Sequence, residues 1–132
     1  METQLPVMSR TLRHIRNAIE NLDLDLTGLT VLTEAASGAF RVTSVIAAMA
    51  NARRGVAIGR DSRWGSFGAV KEEIQLLSRE ADLEDRIDVI DGSAKEAGQC
   101  LGFELITNLG FVRPITAEII QKMPRHGAIG LM

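Results

Sequence analysis

Residues 29–59, LTVLTEAASGAFRVTSVIAAMANARRGVAIG, decide the fold of this chain. The stretch begins with a continuous apolar run over 29–33 and ends with another over 55–59, and such runs are typical of strands buried on both faces of a sheet. Between them, residues 42–50 place apolar side chains at helical spacing. The pattern predicts two parallel strands joined by a right-handed helical crossover.

The same alternation continues to the end of the chain. Apolar residues spaced four, three and four apart predict a helix over 70–81, and further apolar runs predict strands at 87–90, 103–107 and 128–132. Residues 93–98 are predicted to form a short helix. Thr116 can cap a last helix, which is predicted to bury Ile119, Ile120 and Met123. The predicted fold is α/β, a Rossmann-like doubly wound parallel sheet of about five strands in the order 3-2-1-4-5.

An extra helix is predicted over residues 9–24, ahead of the repeat, and Ser9 or Thr11 can cap its start. We expect residues 1–28 to form an N-terminal helical segment and residues 29–132 to form a Rossmann-like nucleotide-cofactor-binding domain. Because the chain ends on an apolar strand, we expect a C-terminal domain to be missing or a homo-oligomer to complete the fold. The apolar face of the first helix consists of residues three or four apart: Leu12, Ile15, Ile19 and Leu22.

Composition narrows the class of protein. The chain has 132 residues, 45% of them hydrophobic and 24% charged, which is the balance of an ordinary globular domain. A net charge of −2 argues against nucleic acid or an anionic membrane as a partner. The single cysteine, Cys100, cannot form an internal disulfide, and no apolar run is long enough for a membrane helix. We expect a cytoplasmic protein.

The loop after the first strand is the first candidate ligand site, because ligands of such sheets lie at the carboxyl ends of the strands. Small residues there let a backbone approach a pyrophosphate, and the helix that follows offers free N–H groups. The match to G-x-G-x-x-G is partial, since Arg41 stands at the third glycine, and an ordinary tight turn is the alternative interpretation. The candidate cofactor-binding residues of this loop are Glu34, Ala36, Ser37, Gly38, Ala39 and Phe40.

The loop after the second strand carries charged candidates. Asp61 can accept hydrogen bonds from ribose hydroxyls, whereas Arg60, Ser62 and Arg63 can bind a 2′-phosphate and would favour NADP over NAD. A solvated charged loop is the alternative.

The remaining loops add weaker candidates. Asp91 follows the third strand and either faces an adenine ring or simply starts a turn. Asn108 and Gly110 follow the fourth strand, where a nicotinamide or reacting group can lie, and Arg113 is a candidate for binding a substrate carboxylate or phosphate. Trp64 can stack on an adenine ring, but we expect it to cover a helix.

No metal or catalytic site is predicted. His14 and His126 are far apart in the predicted topology, and neither has a cysteine or acidic partner at metal-ligand spacing. Methionines 8, 49 and 123 are predicted to fill the core.

Residues 107–132, TNLGFVRPITAEIIQKMPRHGAIGLM, resemble the late part of NAD(P)-binding Rossmann domains. In the adenosylhomocysteinase, D-2-hydroxyacid dehydrogenase and methylene-tetrahydrofolate dehydrogenase families, a strand ending in Thr-x-x-Gly is followed by a helix and a Met/Ile-x-x-Gly-Ala-Ile/Val turn. Here those elements are residues 107–110, the helix through Ile119, and residues 123–129. The resemblance implies NAD or NADP as cofactor and an oxidoreductase-like enzyme.

Two other interpretations compete with NAD(P) binding. Glu34, Ala36, Gly38 and Phe40 approximate the acidic-x-Gly-x-Gly-x-Gly motif of S-adenosylmethionine-dependent methyltransferases, in which Asp61 would hold the ribose. Residues 83–94, LEDRIDVIDGSA, resemble the stretch that leads into the adenine-contacting strand of that family. The glycine motif is matched only in part, because Phe40 fills one of its glycine positions. The third possibility is a non-catalytic assembly module that keeps the fold.

Overall fold

The computed structural model describes residues 4–92, 102–108, 110–112 and 114–131. The predicted helix over 93–98, Cys100 and Arg113 lie outside the described residues. For Ala39 and Asn108 the description covers the backbone alone.

A five-stranded parallel sheet forms the centre of the described chain, with the strand order β3-β2-β1-β4-β5 that the sequence predicts. The central strand β1 pairs with β2 on one side and β4 on the other, so the strand order reverses beside β1. Its apolar sequence is explained by this position, because both faces of a central parallel strand are covered. The strands are β1 Thr30–Glu34, β2 Arg54–Gly59, β3 Ile87–Asp91, β4 Leu105–Asn108 and β5 Ala128–Leu131.

The described helices are α1 Gln4–Leu22, α2 Thr43–Met49, α3 Phe67–Glu80 and α4 Ala117–Lys122. Among the described residues, short 3-10 turns at Gly38–Val42, Glu84–Arg86 and Gly110–Val112 lie between these elements. The prediction that Ser9 or Thr11 caps the first helix is wrong, because α1 begins at Gln4 and both residues lie inside it.

Helices α2 and α3 cover one face of the sheet, and α1 packs against both of these helices. Leu12 and Ile15 of α1 are buried in the same cluster as Val45 and Ile74, which confirms the predicted apolar face at these positions. Leu22 is 76% exposed, so the prediction fails at the end of the helix. The apolar residues of α1 that pack on this core end with Ile19. Met8 and Met49 pack against the cluster, as predicted.

The opposite face of the sheet packs against α4 and the segments around it. Leu32, Ile58 and Ile106 form this second cluster with Ile119 of α4. Thr116 caps α4 as predicted, since its hydroxyl accepts a hydrogen bond from the Ile119 N–H at 3.3 Å. Ile119 is buried and Met123 packs on the cluster, but the prediction that Ile120 is buried is wrong. Ile120 is 53% exposed because consecutive helix residues point about 100° apart.

Charged side chains connect the amino ends of the strands. Glu104, just before β4, accepts hydrogen bonds from the backbone N–H of Thr30 at 2.8 Å and from the Thr30 hydroxyl. Arg53 lies 3.8 Å from the other carboxylate oxygen, and Arg54 forms an ion pair with Asp88 of β3. Burial alone would raise the pKa of Glu104, but the hydrogen bonds from Thr30 and the charge of Arg53 outweigh it and hold that pKa below its usual value.

Candidate functional site

The loops after β1, β2 and β3 converge at the carboxyl edge of the sheet. A Cβ atom on Gly59, the last residue of β2, would lie 2.5 Å from the carbonyl oxygen of Ala35. A Cβ on Gly92, just after β3, would lie 3.2 Å from the carbonyl oxygen of Gly59. Only a glycine at position 59 lets the Ala35 carbonyl come this close. The carboxyl ends of β1, β2 and β3 are therefore held in backbone contact.

The loop after β1 reaches α2 through the 3-10 turn rather than directly. Gly38 begins this turn at φ +72, in the left-handed region that favours glycine, and Arg41 donates a hydrogen bond to its carbonyl at 3.1 Å. A Cβ on Gly38 would have no other atom within 4 Å. The glycine is therefore required by its backbone conformation, and the space beside it is open. The predicted helix start near residue 42 is confirmed, but it lies several residues beyond Gly38.

Glu34 links β1 and β4, the two neighbouring strands between which the strand order reverses. Its side chain is buried at the end of β1, with 4% of the residue exposed, and its carboxylate accepts a hydrogen bond from the backbone N–H of Phe111 at 3.1 Å. Phe111 lies in the 3-10 turn after β4. One step deeper, the hydroxyls of Thr107 and Thr33 are 2.8 Å apart. Glu34 thus holds the loop after β4 against the end of β1.

The loop after β2 is a tight turn with fixed ends. The backbone groups of Ser62 and Gly65 bond reciprocally at 3.0 and 3.2 Å. Asp61 accepts a hydrogen bond from the Phe67 N–H at 2.8 Å, where α3 begins, and Ser66 caps the same helix. The turn lies against the first loop, because a Cβ on Gly65 would be 3.5 Å from the Cβ of Ser37.

Two arginines of this loop lie over aromatic rings. The guanidinium of Arg60 is 5.1 Å from the ring centre of Phe111, and that of Arg63 is 4.6 Å from the ring centre of Trp64. Trp64 is 73% exposed, so the expectation that it covers a helix is wrong. The short turn over 62–65 holds its side chain out in solvent rather than against α3.

The structure brings most of the sequence candidates to one edge. Asp91 ends β3, Asn108 ends β4, and Gly110 begins the turn that contains Phe111. Sequence reasoning did not single out Phe111, whose backbone N–H binds Glu34 and whose ring lies under Arg60. A role that depends on a backbone donor and a ring contact across the sheet leaves no local sequence signal.

A cavity of about 610 Å³ lies elsewhere, along the outer edge strand β3. Its lining includes Arg54, Lys71, Asp88 and Phe103, and none of the candidate residues. We place the candidate site at the converging loops, because ligands of open α/β sheets bind at the carboxyl ends of the strands. Among the described residues, no group of three or more His, Cys, Asp and Glu side chains is arranged to hold a metal ion. In the same part of the chain, every helix is too short or too polar to span a membrane.

No family model and no curated protein sequence matches the chain. Among solved structures, the fold is similar to a chain of the Trypanosoma brucei PRMT1 enzyme–prozyme heterotetrameric complex with AdoHcy. The TM-score is 0.53 at 18% sequence identity, and the match covers 90% of this chain and 37% of that chain. The likeness is one of fold. It supports a Rossmann-like α/β domain and does not support NAD(P) binding in particular.

Proposed function

We propose that this chain is an adenosyl-cofactor-binding domain of the S-adenosylmethionine-dependent methyltransferase kind. The observation that carries the proposal is the fold match over 90% of the chain to a protein determined with AdoHcy. The acidic residue at the end of β1 and the left-handed glycine four residues later agree with that interpretation. NAD(P) binding, which the resemblance of residues 107–132 implies, has no comparable support.

The residues at the carboxyl edge fit such a ligand. The open space beside Gly38 leaves room over the first loop. Asp61 uses Oδ1 to hold the start of α3, so Oδ2 can accept hydrogen bonds from ribose hydroxyls. Glu34 acts indirectly in this proposal, because its carboxylate is buried under Phe111 and positions the loop after β4. When bound, S-adenosylmethionine would supply an electrophilic methyl group that an acceptor's lone pair takes as the carbon–sulfur bond breaks.

NADP is the second candidate, and one observation favours it. Arg60 and Arg63 are both exposed at the carboxyl end of β2, and neither forms an ion pair within the described residues. Their guanidinium groups lie over aromatic rings and keep N–H donors for a 2′-phosphate.

Calorimetric titration of the full chain with S-adenosylmethionine, S-adenosylhomocysteine, NAD and NADP separates these candidates. We expect the two sulfur ligands to bind and the two dinucleotides to give no heat. Binding of the dinucleotides alone would overturn the proposal. Absence of all binding at millimolar ligand, from a protein that elutes as a dimer or larger, would favour the assembly module.

The variant Asp61→Asn tests the ribose contact without disturbing the turn. The amide oxygen still accepts from the Phe67 N–H, whereas the charge that strengthens the ribose contact is lost. We expect roughly tenfold weaker binding of S-adenosylhomocysteine, equivalent to about 1.4 kcal/mol. The matched control is Asp25→Asn, since Asp25 similarly accepts from the Thr27 N–H in a loop on the amino side of β1. Equal losses in both variants would contradict a direct role for Asp61.

A further inference from the structure

The cavity along the outer edge of β3 is separate from the converging loops and has no part in the proposed function. Its volume of about 610 Å³ is in the range of protein cavities that hold small molecules. Val56, Ile90 and Phe103 line it from one cluster of the core, and Ile87 and Val89 line it from the other. The cavity therefore reaches both faces of the sheet around its outer strand.

The apolar side chains of β3 are less well covered than those of the neighbouring strand. Val56 and Ile58 of β2 are buried, whereas Val89 and Ile90 of β3 are only half-buried. Partly exposed apolar surface in a concave site favours an apolar ligand, because binding removes that surface from water. The body of a ligand in this cavity is therefore expected to be apolar.

The site is longer than it is wide. A smaller cavity of about 130 Å³ adjoins the first and shares three lining residues with it: Gln75, Ile87 and Val89. Its buried wall on α3 offers no free donor, because the Ser78 hydroxyl donates to the Ile74 carbonyl at 2.6 Å. Helix α3 borders the two cavities from Lys71 to Arg79, a rise of roughly 12 Å. An elongated ligand fits this shape better than a compact one.

Among the described residues that line the two cavities, the charges leave one cation unbalanced. Arg54 forms an ion pair with Asp88, and Arg79 and Glu84 offset each other in charge. Lys71 forms no ion pair within the described part of the chain. Its ammonium group can therefore bind one anionic head group through charge-assisted hydrogen bonds.

We propose that the cavities along β3 bind a medium-chain carboxylate. Lys71 holds its head group, and its apolar chain lies against Val89 and Ile90. The apolar walls, the elongated shape and the single unbalanced cation each point to this ligand class. The site lies away from the converging loops, so it does not depend on the proposed function and gives the protein a second ligand.

The fluorescent dye anilinonaphthalene sulfonate tests the site, because it combines apolar rings with one anionic group. We expect the full chain to bind the dye saturably, at one dye per chain, with increased emission. Decanoate should displace the dye. Decyltrimethylammonium, which has the same chain length and the opposite charge, should not displace it. Equal displacement by the two amphiphiles would overturn recognition of an anionic head group.

Two variants locate the dye. Lys71→Gln removes the charge at the cavity, and we expect dye binding to weaken roughly tenfold. Its control is Lys122→Gln at the exposed end of α4, which should leave the affinity unchanged. Gln75→Trp fills the cavity from an exposed position on α3 and should abolish dye binding, whereas Gln121→Trp, exposed on α4, should not.

Three results would overturn the proposal. The first is no saturable dye binding, and the second is equal affinity of Lys71→Gln and Lys122→Gln for the dye. The third is displacement of the dye by S-adenosylhomocysteine, because the dye would then lie at the converging loops. Absence of S-adenosylhomocysteine binding in calorimetry would instead overturn the proposed function and leave the β3 site standing.

Discussion

At the amino ends of the strands the protein satisfies its charged groups with one another, whereas at the carboxyl ends it brings backbone together and leaves polar and aromatic groups toward solvent. Glu104 binds Thr30 and Arg53, and Arg54 binds Asp88. At the other edge, Arg60, Arg63 and Trp64 are exposed on loops held by backbone and capping hydrogen bonds. The charged groups at the amino edge are thus satisfied within the sheet, whereas the carboxyl edge is ordered in a way that leaves Arg60, Arg63 and Trp64 exposed.

The largest effect is expected where the carboxyl edge is tightest. Gly59→Ala places a Cβ 2.5 Å from the Ala35 carbonyl oxygen, which is backbone and cannot rotate away. We expect the free energy of unfolding to fall by about 3 kcal/mol, the upper range for overpacking. Chemical denaturation measures it, with Gly68→Ala as the control, because a Cβ there meets nothing within 4 Å. If Gly59→Ala and Gly68→Ala have the same free energy of unfolding, the strand ends do not depend on the close contact between Gly59 and Ala35.

A smaller effect is expected at the amino edge. Glu104→Gln keeps an acceptor for Thr30 but removes the charge, so we expect a loss of about 1–2 kcal/mol at neutral pH. Because folding lowers the pKa of Glu104, its contribution is full above the ordinary value of 4.5 and disappears as the pH falls through the lower folded value. Denaturation curves at several pH values should therefore show the variant and the unmodified protein converging in acid.

The control for that prediction is Glu80→Gln, at the exposed end of α3, which should change stability by less than about 0.5 kcal/mol at every pH. Ligand affinity should be unchanged in Glu104→Gln if the two edges are independent. A difference in stability that persists undiminished at low pH would show that the charge of Glu104 is not what connects β1 to β4.

An effect of similar size tests whether Gly38 is required for its backbone conformation or for close approach of a neighbour. Gly38→Ala should cost about 1–2 kcal/mol, the penalty for a side chain in the left-handed region, and Gly38→Asn should cost less. The control Gly65→Ala has a negative φ and only an ordinary contact at 3.5 Å, so it should be nearly neutral. Thermal melts of the three variants decide the matter. A greater cost for Gly65→Ala than for Gly38→Ala would indicate close approach rather than conformation as the constraint.

The fold was readable from local pattern because each strand is short, apolar and separated from the next by an element of helical period. The apolar runs around Leu32 and Ala57 predict buried parallel strands, and the structure buries both residues completely. Prediction failed at helix ends, where the exposed Leu22 and Ile120 continue an apolar pattern beyond the surface that covers it. Hydrophobic periodicity shows which residues share one face of a helix. It does not show how far the packed neighbouring elements cover that face.

The candidate site was only partly readable for a related reason. The sequence shows that Glu34, Gly38 and Asp61 follow strands, which places them at one edge of the sheet. It does not show that Glu34 is turned inward to Phe111, or that the glycine is needed for a left-handed backbone. Those facts depend on residues more than seventy positions apart, or on dihedral angles that several loop geometries can satisfy.

The amino-acid sequence by itself therefore determined the strand–helix alternation, the strand order and the edge at which loops gather, since hydrophobic period and crossover handedness act locally. Only the tertiary structure decided which of those loop residues are used up in holding the edge together and which remain available. Glu34 belongs to the first group and Trp64 to the second. Burial and the hydrogen bonds between the ends of β1 and β4 decide which residues are in which group. Neither can be predicted from residues adjacent in the chain.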